Sequence, residues 1–300
     1  MNQLDRCLIE SVCTNRMDYA RQFTRQILCA STTQKDRDFC EEMKKKLDEL
    51  ESKPFQLPGN LSEVLAAQDV SHFREDRFVL REDEEKIVDS MLMANAASVK
   101  LKLFDVHYVP ALLLTGKPGT GKTLLAKYIA FKLKLPFIYV RFSNLVGSYL
   151  GQTQQNIARI FDYVRKEPVV VCFDEIDAIG LSRGQRNDVG EMSRVVIALM
   201  QEMDTIQNGC VVTATTNRAD MLDAALFRRF TFVHEVELFS LVEAEQLAKK
   251  FFASVGVEPP KDLMLSSFND ALEFQPSEVI KRCTTRLVEI IMKEDDDNGR

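Results

Sequence analysis

The sequence predicts an α/β protein with a doubly wound parallel sheet, a small C-terminal helical lid domain and an N-terminal helical hairpin. From residue 109 onward, short apolar β-branched runs alternate with amphipathic helical stretches, which is the pattern of β-α-β units. After residue 238 the pattern is helical alone. Residues 1–50 contain neither glycine nor proline, and their apolar residues recur at helical spacing.

The first segment, residues 1–52, is predicted to form the hairpin. Apolar residues recur at three- and four-residue steps on both sides of a polar break at residues 31–33, which predicts two helices. These positions are Leu4, Leu8, Val12, Phe23 and Ile27 before the break, and Phe39, Met43, Leu47 and Leu50 after it. A partner-binding module and an oligomerisation arm fit this pattern equally well. Residues 53–75 are predicted to be a linker, because prolines and a glycine punctuate its start.

Residues 76–240 are predicted to form the α/β domain. A strand near residues 77–80 and a helix over residues 82–99 open it. Five further strands are predicted at residues 109–115, 136–142, 168–174, 209–216 and 231–238. Several of these runs are apolar on both faces, as strands buried in a parallel sheet are.

The C-terminal part, residues 241–293, is predicted to be a separate helical lid domain. Its helical stretches cover residues 241–256, 263–273 and 276–293. The last residues, 294–300, are an acidic tail that we expect to be solvated.

Composition excludes several classes of protein. The net charge of −6 provides no overall basic field for a nucleic-acid backbone, so a nucleic-acid partner is not expected. The seven cysteines form no CxxC pair and no zinc-like cluster with histidine, which predicts reduced thiols in the core. We find no apolar stretch long enough for a membrane span and no secretory signal at the N-terminus. These features predict a cytoplasmic protein.

A glycine-rich loop follows the apolar strand at 109–115 and precedes a helical stretch. Its residues fit the pattern GxxxxGK[ST], and this context is the one in which the pattern binds phosphate. Glycines allow the backbone N–H groups to surround a phosphate, and the helix N-terminus adds partial positive charge. The predicted ATP-binding residues are Gly116, Lys117, Pro118, Gly119, Thr120, Gly121, Lys122, Thr123 and Leu124. Lys122 is predicted to contact the β- and γ-phosphates, and Thr123 to offer its hydroxyl to Mg²⁺.

Two acids, Asp174 and Glu175, end the apolar strand at 168–174. Buried carboxylates are costly unless they are paired or bound to a metal, so this position predicts a cation site. We expect Asp174 to hold Mg²⁺, directly or through water. Strand alternation would turn Glu175 to the other side, where it would polarise the attacking water. The alternative, an acid that caps a helix, suits Asp177 better than this pair.

Polar and basic residues also follow the next two strands. Asn217 ends the strand at 209–216 and could orient the attacking water, although asparagine after a strand is also a common turn residue. Arg228 and Arg229 stand side by side after a short apolar stretch. On a monomer they would be ordinary surface residues. In a ring they could contact the neighbour's γ-phosphate, and an arginine supplied in this way can raise the rate about 10³–10⁵-fold.

These elements, in this order, resemble the AAA family of ATPases from about residue 109 to residue 293. The resemblance implies an ATPase that binds ATP and Mg²⁺ and assembles into a hexameric ring. By resemblance, Asn217 corresponds to the family's first sensor, and Arg228 and Arg229 to its arginine fingers acting in trans. Tyr149 and Leu150 resemble the pore-loop pair that grips a protein substrate, and residues 184–190 resemble a second pore loop. A tyrosine packed in a turn is the alternative for Tyr149.

Three features depart from the family pattern. Pro276 replaces the usual glycine at the start of the last helix, although proline suits a first helical turn. Lys281 and Arg282 are poor substitutes for the lid arginine of more distant relatives. No Gly-Gly loop precedes the phosphate loop, and residues 61–80 are the segment that could contact adenine instead.

Three functions follow from the resemblance. The first is a ring-forming remodeller that threads a polypeptide past Tyr149. The second is a nucleotide-dependent switch that controls a partner protein such as a protease or effector. The third, a DNA-acting loader or helicase, is disfavoured by the acidic charge balance. Tyr149→Ala should separate the first two, because only a translocating motor would lose work while keeping basal hydrolysis.

Overall fold

The structure is a computed structural model that describes residues 3–13, 17–30, 37–51, 65–142, 150–178, 189–260 and 273–298. The chain divides into two compact units, Met1–Gln56 and Leu57–Arg300. Among the described residues, no helix combines the length and apolar character needed to cross a bilayer.

The first unit contains α1 (Gln3–Cys13), α2 (Met17–Ala30) and α3 (Arg37–Glu51). The prediction of two helices is therefore wrong, because the first half of this segment forms two helices by itself. Apolar periodicity continues on both sides of residues 14–16 and hides the boundary, although Thr14 and Asn15 are poor residues for a helix interior. Leu28, Cys40 and Met43 pack together where α2 meets α3.

The second unit is built on a sheet of six strands. They are β1 (Leu65–Gln68), β2 (Ala111–Thr115), β3 (Phe137–Arg141), β4 (Val170–Asp174), β5 (Val211–Thr216) and β6 (Phe232–Glu235). Their spatial order is β1-β3-β4-β5-β2-β6, and every pair is parallel except β1 with β3. The five strands predicted after residue 109 are confirmed, and so is the α/β class.

The segment before β2 differs from its prediction. Four residues of the predicted linker form β1, which pairs antiparallel with residues 137–140 at the sheet edge. The predicted strand at 77–80 is wrong: a 3₁₀ turn covers Glu75–Arg77 and extended chain follows it. The Leu-Ala-Ala-Gln run of β1 contains no β-branched or aromatic residue, so its pairing depends on the neighbouring strand rather than on propensity. Helix α4 (Glu82–Leu101) is close to its prediction.

Helices cover both faces of the sheet. On one face α5 (Lys122–Leu133) buries Leu125 and Ile129 in a cluster that includes Cys172 of β4. The next residue, Phe173, faces the other side and stacks on Phe161 of α6 (Leu150–Val164). Helix α7 (Val189–Met203) packs against α6. This alternation makes β4 apolar on both faces, as predicted for a buried parallel strand.

The helical part after β6 has a core of its own. A short helix, α8 (Ala224–Phe227), precedes β6, and α9 (Leu241–Val255) and α10 (Pro276–Asn298) follow it. Leu247, Phe251 and Phe252 of α9 pack with Val279 and Cys283 of α10. Pro276 is the first residue of α10, where the missing N–H is not needed. The helical stretch predicted at 263–273 lies outside the described residues except for its last position.

Candidate functional site

The candidate site lies where three adjacent parallel strands end. Strand β5 lies between β4 and β2, so the residues after these strands meet at one edge of the sheet. The glycine-rich loop follows β2, Asp174 ends β4, and Asn217 follows β5. The crevice at the carboxyl ends of such strands is the common ligand site of α/β sheets.

The loop after β2 has a backbone that side chains would disturb. At Gly116, φ is +137° and a Cβ atom would lie 2.2 Å from the carbonyl oxygen of Val236. At Gly119, φ is +78° and a Cβ atom would lie 2.6 Å from Oγ of Ser277, at the start of α10. Helix α5 begins at Lys122, so its N-terminal N–H groups adjoin this loop. The loop can therefore surround an anion with backbone donors.

The ammonium group of Lys122 is held inside the loop. Nζ donates to the carbonyl oxygens of Gly116 and Lys117 and to Oδ1 of Asn217, each at 2.8 Å. Burial lowers the pKa of Lys122, and the charges of Asp174 and Asp177 oppose that shift. The contact with Asn217 joins the loop after β2 directly to the end of β5.

Three hydroxyl groups surround the carboxylate of Asp174. Oδ1 accepts hydrogen bonds from Oγ1 of Thr123 at 2.8 Å and Oγ1 of Thr215 at 2.6 Å. Oδ2 accepts from the hydroxyl of Tyr139 at 2.5 Å. Burial, and next the contact with Asp174, raise the pKa of Tyr139 to about 12, so this hydroxyl stays protonated at neutral pH.

Glu175 lies just beyond β4, in a turn. Its φ is +56°, a conformation that few residues other than glycine adopt. The backbone N–H of Glu175 donates to Oγ1 of Thr215 at 3.1 Å, and that of Ile176 donates to the carbonyl oxygen of Thr215 at 3.0 Å. The prediction that strand alternation orients Glu175 is therefore wrong. The turn, supported by Thr215, places Glu175 and leaves its side chain exposed.

The residues at this edge suit magnesium. Mg²⁺ prefers oxygen ligands, and it is usually held by one or two carboxylates together with phosphate and water. The hydroxyl of Thr123 and the carboxylate of Asp174 touch each other beside the phosphate-binding loop. Asp177 adds negative charge nearby: it is buried, and its Oδ1 has no hydrogen-bond partner among the described residues.

The two arginines after α8 are both exposed but differ in their contacts. Arg229 forms a two-pronged ion pair with Asp204, with Nε–Oδ1 at 3.0 Å and Nη2–Oδ2 at 2.9 Å. Asp204 follows α7, so this pair joins the end of that helix to the segment before β6. Within the described part of the chain, the side chain of Arg228 forms neither an ion pair nor a hydrogen bond.

Comparison with known proteins identifies this arrangement. The family model described as "ATPase family associated with various cellular activities (AAA)" matches residues 112–238. These residues contain the phosphate loop, the acid pair, Asn217 and both arginines. Residues 112–238 of this chain therefore match an AAA-family ATPase module.

Individual relatives also match part of this chain. An uncharacterized AAA family ATPase, y4kL of Sinorhizobium fredii, is 40% identical over 138 residues, which are 46% of this chain and 41% of that protein. The peroxisomal ATPase PEX6 of Saccharomyces cerevisiae is 36% identical over 170 residues, which are 53% of this chain and 16% of that protein. Human PEX6 is 43% identical over 121 residues, which are 39% of this chain and 12% of that protein. The chain spans less than half the length of these relatives.

Other predicted site residues of the AAA module lie apart from the central cluster. Lys117 points to an exposed ion pair with Glu273, with Nζ–Oε2 at 3.2 Å. Leu124 is also exposed. Tyr149 and residues 184–188 lie outside the described residues, and Leu150 is described only as the first residue of α6. The assignment of pore loops therefore remains a prediction.

Two residues of the site were missed as functional positions from sequence. Tyr139 and Thr215 both lie inside predicted strands, at residues 136–142 and 209–216. Neither belongs to a recognised spacing pattern. A signal does exist, because both residues carry a hydroxyl within a strand of the sheet, and a buried hydroxyl needs a partner.

Proposed function

We propose that this chain binds and hydrolyses ATP with Mg²⁺ at the edge formed by β2, β4 and β5. The observation that carries the proposal is the pair of direct contacts across this edge, Lys122 with Asn217 and Thr123 with Asp174. These contacts bring a phosphate-binding lysine, a polar sensor and a metal-binding pair into one cluster. A purely structural role would not require a cationic, an amide and a carboxylate group to meet beside a glycine loop.

Each residue has a distinct task in this proposal. The loop amides and the N-terminus of α5 bind the phosphates, and Lys122 exchanges its carbonyl partners for phosphate oxygens. Thr123 and Asp174 would hold Mg²⁺, which would neutralise charge on the β- and γ-phosphates. Glu175 is exposed at the end of β4 and accepts a proton from the attacking water. Asn217 orients that water.

We further propose that the chain acts as a ring, the hexamer that its family resemblance implies, with arginines supplied to the neighbouring site. Arg228 is the better candidate for the primary contact because Arg229 is already paired with Asp204. In this ring, Tyr149 and Leu150 would grip a protein substrate, which makes a remodeller the leading function. Among the described residues, the buried free thiols of Cys40, Cys172, Cys210 and Cys283 suit the reducing cytoplasm.

Two substitutions test hydrolysis directly. Lys122→Ala should abolish the rise in melting temperature that Mg·ATP produces, because the phosphates lose their lysine. Glu175→Gln should keep that rise but lower turnover by about 100-fold or more, because an amide cannot accept the proton. Calorimetry and a phosphate-release assay measure the two effects. Lys132→Ala, on the same helix α5 as Lys122, is the matched control and should behave like the native chain.

Two outcomes would count against this function. If the native chain gives no heat with millimolar Mg·ATP, it has no nucleotide site. If Glu175→Gln turns over at the native rate, the acid pair has another role. Tyr149→Ala then separates a remodeller from a switch. If the variant loses protein unfolding but keeps basal hydrolysis, the chain threads a polypeptide. If the variant still regulates its partner normally, the chain is a switch.

A further inference from the structure

The Asp174 carboxylate accepts hydrogen bonds from two residues that have no part in the proposed metal site. An ionised carboxylate has about four acceptor positions. Thr123 occupies one of them, and its own role at the proposed metal site explains that contact. Tyr139 and Thr215 occupy two more from separate strands. These two hydroxyls have no place in the proposed chemistry so far.

Tyr139 reaches Asp174 from the neighbouring strand. In the register of β3 with β4, Arg141 lies opposite Asp174 and Tyr139 lies opposite Cys172. The tyrosine ring therefore extends along the sheet so that its hydroxyl meets Oδ2, the oxygen that neither threonine contacts. The guanidinium carbon of Arg141 lies 5.9 Å from the centroid of this ring, which further restricts its position.

Thr215 connects the two acids. Its Oγ1 donates to Oδ1 of Asp174 at 2.6 Å and accepts from the N–H of Glu175 at 3.1 Å. One buried hydroxyl therefore fixes both the metal-binding carboxylate and the left-handed turn that places the proposed base. A valine at this position would have the same shape but could make neither contact.

We propose that Tyr139 and Thr215 are positioning residues for the metal site, which hold the Asp174 carboxylate in one orientation from both of its oxygens. This inference rests on the proposed Mg·ATP site. Removal of either hydroxyl lets the carboxylate turn away from the metal position, so metal affinity falls while the phosphate loop is unchanged. Residues that orient metal ligands in this way typically change metal affinity about 10–100-fold.

The test compares Tyr139→Phe with Tyr163→Phe. Tyr163 is also partly buried, and burial likewise raises its pKa to about 12. It lies in the last turn of α6, next to Val164, whose carbonyl oxygen contacts Sγ of Cys210 just before β5 begins. Melting temperature is recorded against Mg²⁺ concentration with a saturating non-hydrolysable ATP analogue, and affinity for the analogue is measured separately in EDTA. For Tyr139→Phe we expect an increase of about 10-fold in the Mg²⁺ concentration at half-maximal stabilisation. Affinity in EDTA should match the native chain, and Tyr163→Phe should match it in both measurements.

A second pair of variants decides the matter if Tyr139→Phe does not fold. Thr215→Val should raise the Mg²⁺ midpoint, and Thr215→Ser, which keeps the hydroxyl, should restore it. Native-like midpoints for both Tyr139→Phe and Thr215→Val would overturn this inference alone. An equal loss of affinity in EDTA would also overturn it, because that result indicates a general structural role. A native chain whose nucleotide binding ignores Mg²⁺ would instead overturn the proposed function.

Discussion

At the scale of single residues, the phosphate loop depends on the absence of a side chain at Gly116. A Cβ atom there would lie 2.2 Å from the backbone oxygen of Val236, and the φ of +137° is outside the range of other residues. Because the obstacle is backbone that is hydrogen-bonded to Thr115, it cannot move aside as a flexible side chain would. The loop and the end of β6 therefore constrain each other.

We expect Gly116→Ala to lower the free energy of unfolding by roughly 3 kcal/mol, since backbone strain and overpacking add. It should also remove nucleotide binding. Gly256→Ala is the control: Gly256 ends α9 with φ of +73°, but a Cβ atom would meet nothing within 4 Å. Its cost should be about 1 kcal/mol, from backbone strain alone. Urea unfolding measures both, and equal costs would show that contact with Val236 is unimportant.

The arginine pair gives a second prediction at this scale. Arg228→Ala should lower hydrolysis strongly and leave the melting temperature unchanged, because this side chain has no partner within the described residues. Arg229→Ala should cost about 0.2–1 kcal/mol of stability, as expected for an exposed ion pair such as that with Asp204. Phosphate release and thermal melting measure the two effects.

Mixing two inactive variants shows whether an arginine acts in the site of its own subunit or in that of the neighbouring subunit. Arg228→Ala combined with Lys122→Ala should recover part of the lost activity if the arginine acts on the neighbour's site, because some interfaces then carry both intact residues. No recovery at any subunit ratio would mean that the arginine acts within its own subunit. A larger loss for Arg229→Ala than for Arg228→Ala would reverse the assignment of the primary residue.

Motif residues could be located from sequence because their spacing reflects the chemistry of phosphate binding. Lys122 and Thr123 are adjacent in the chain and act together, so a short pattern contains them. Tyr139 and Asp174 lie on successive strands separated in sequence by helix α6, and their contact exists only because β3 and β4 are neighbours. A long-range contact of this kind leaves no local pattern.

At the scale of secondary-structure elements, Arg81 connects the sheet domain to the lid. Its side chain is 11% exposed and forms an ion pair with Glu243 of α9 at 2.9 Å. The same guanidinium donates to the carbonyl oxygens of Glu237 and Leu238, between β6 and α9, and lies 5.3 Å from the ring centroid of Phe239. One side chain thus holds the connection at which the lid begins.

Arg81→Ala should therefore destabilise the second unit by about 3 kcal/mol, because it leaves a partly buried acid and two carbonyl groups without their cation. Arg74→Ala is a matched control, since Arg74 contacts the adjacent Asp76 in an exposed pair. That substitution should leave the free energy of unfolding almost unchanged, because solvent screens an exposed pair. Chemical unfolding measures the free energy of unfolding of both variants. Equal losses would show that Arg81 does not stabilise the connection to the lid.

Elements were predictable where their own residues determined them. The strands β2, β4 and β5 are buried along almost their whole length, and α4 has clear helical character, so local pattern and final structure agree there. Strand β1 could not be predicted, because its four residues favour no strand and its pairing partner is about seventy residues away. The boundary between α1 and α2 was hidden because apolar spacing continues across it.

At the scale of the whole molecule, the division at residues 56 and 57 separates the helical arm from the unit with the candidate site. Among the described residues, the second unit contains the apolar core on the α5 side of the sheet and the core of the lid. Each core consists of residues from that unit alone. The nucleotide site should therefore form without the arm.

We predict that the fragment 57–300 melts cooperatively and keeps the stabilisation by Mg·ATP seen in the full chain. A fragment 70–300 is the informative comparison, because it lacks β1 and leaves the edge of β3 unpaired along residues 137–140. Open strand edges promote aggregation, so this shorter fragment should be less stable and less soluble. Light scattering with and without nucleotide then shows what the arm does. If fragment 57–300 forms smaller assemblies than the full chain, residues 1–56 are an oligomerisation arm. Assemblies of equal size would favour a partner-binding module. If fragment 57–300 does not bind nucleotide, the second unit does not form its site independently.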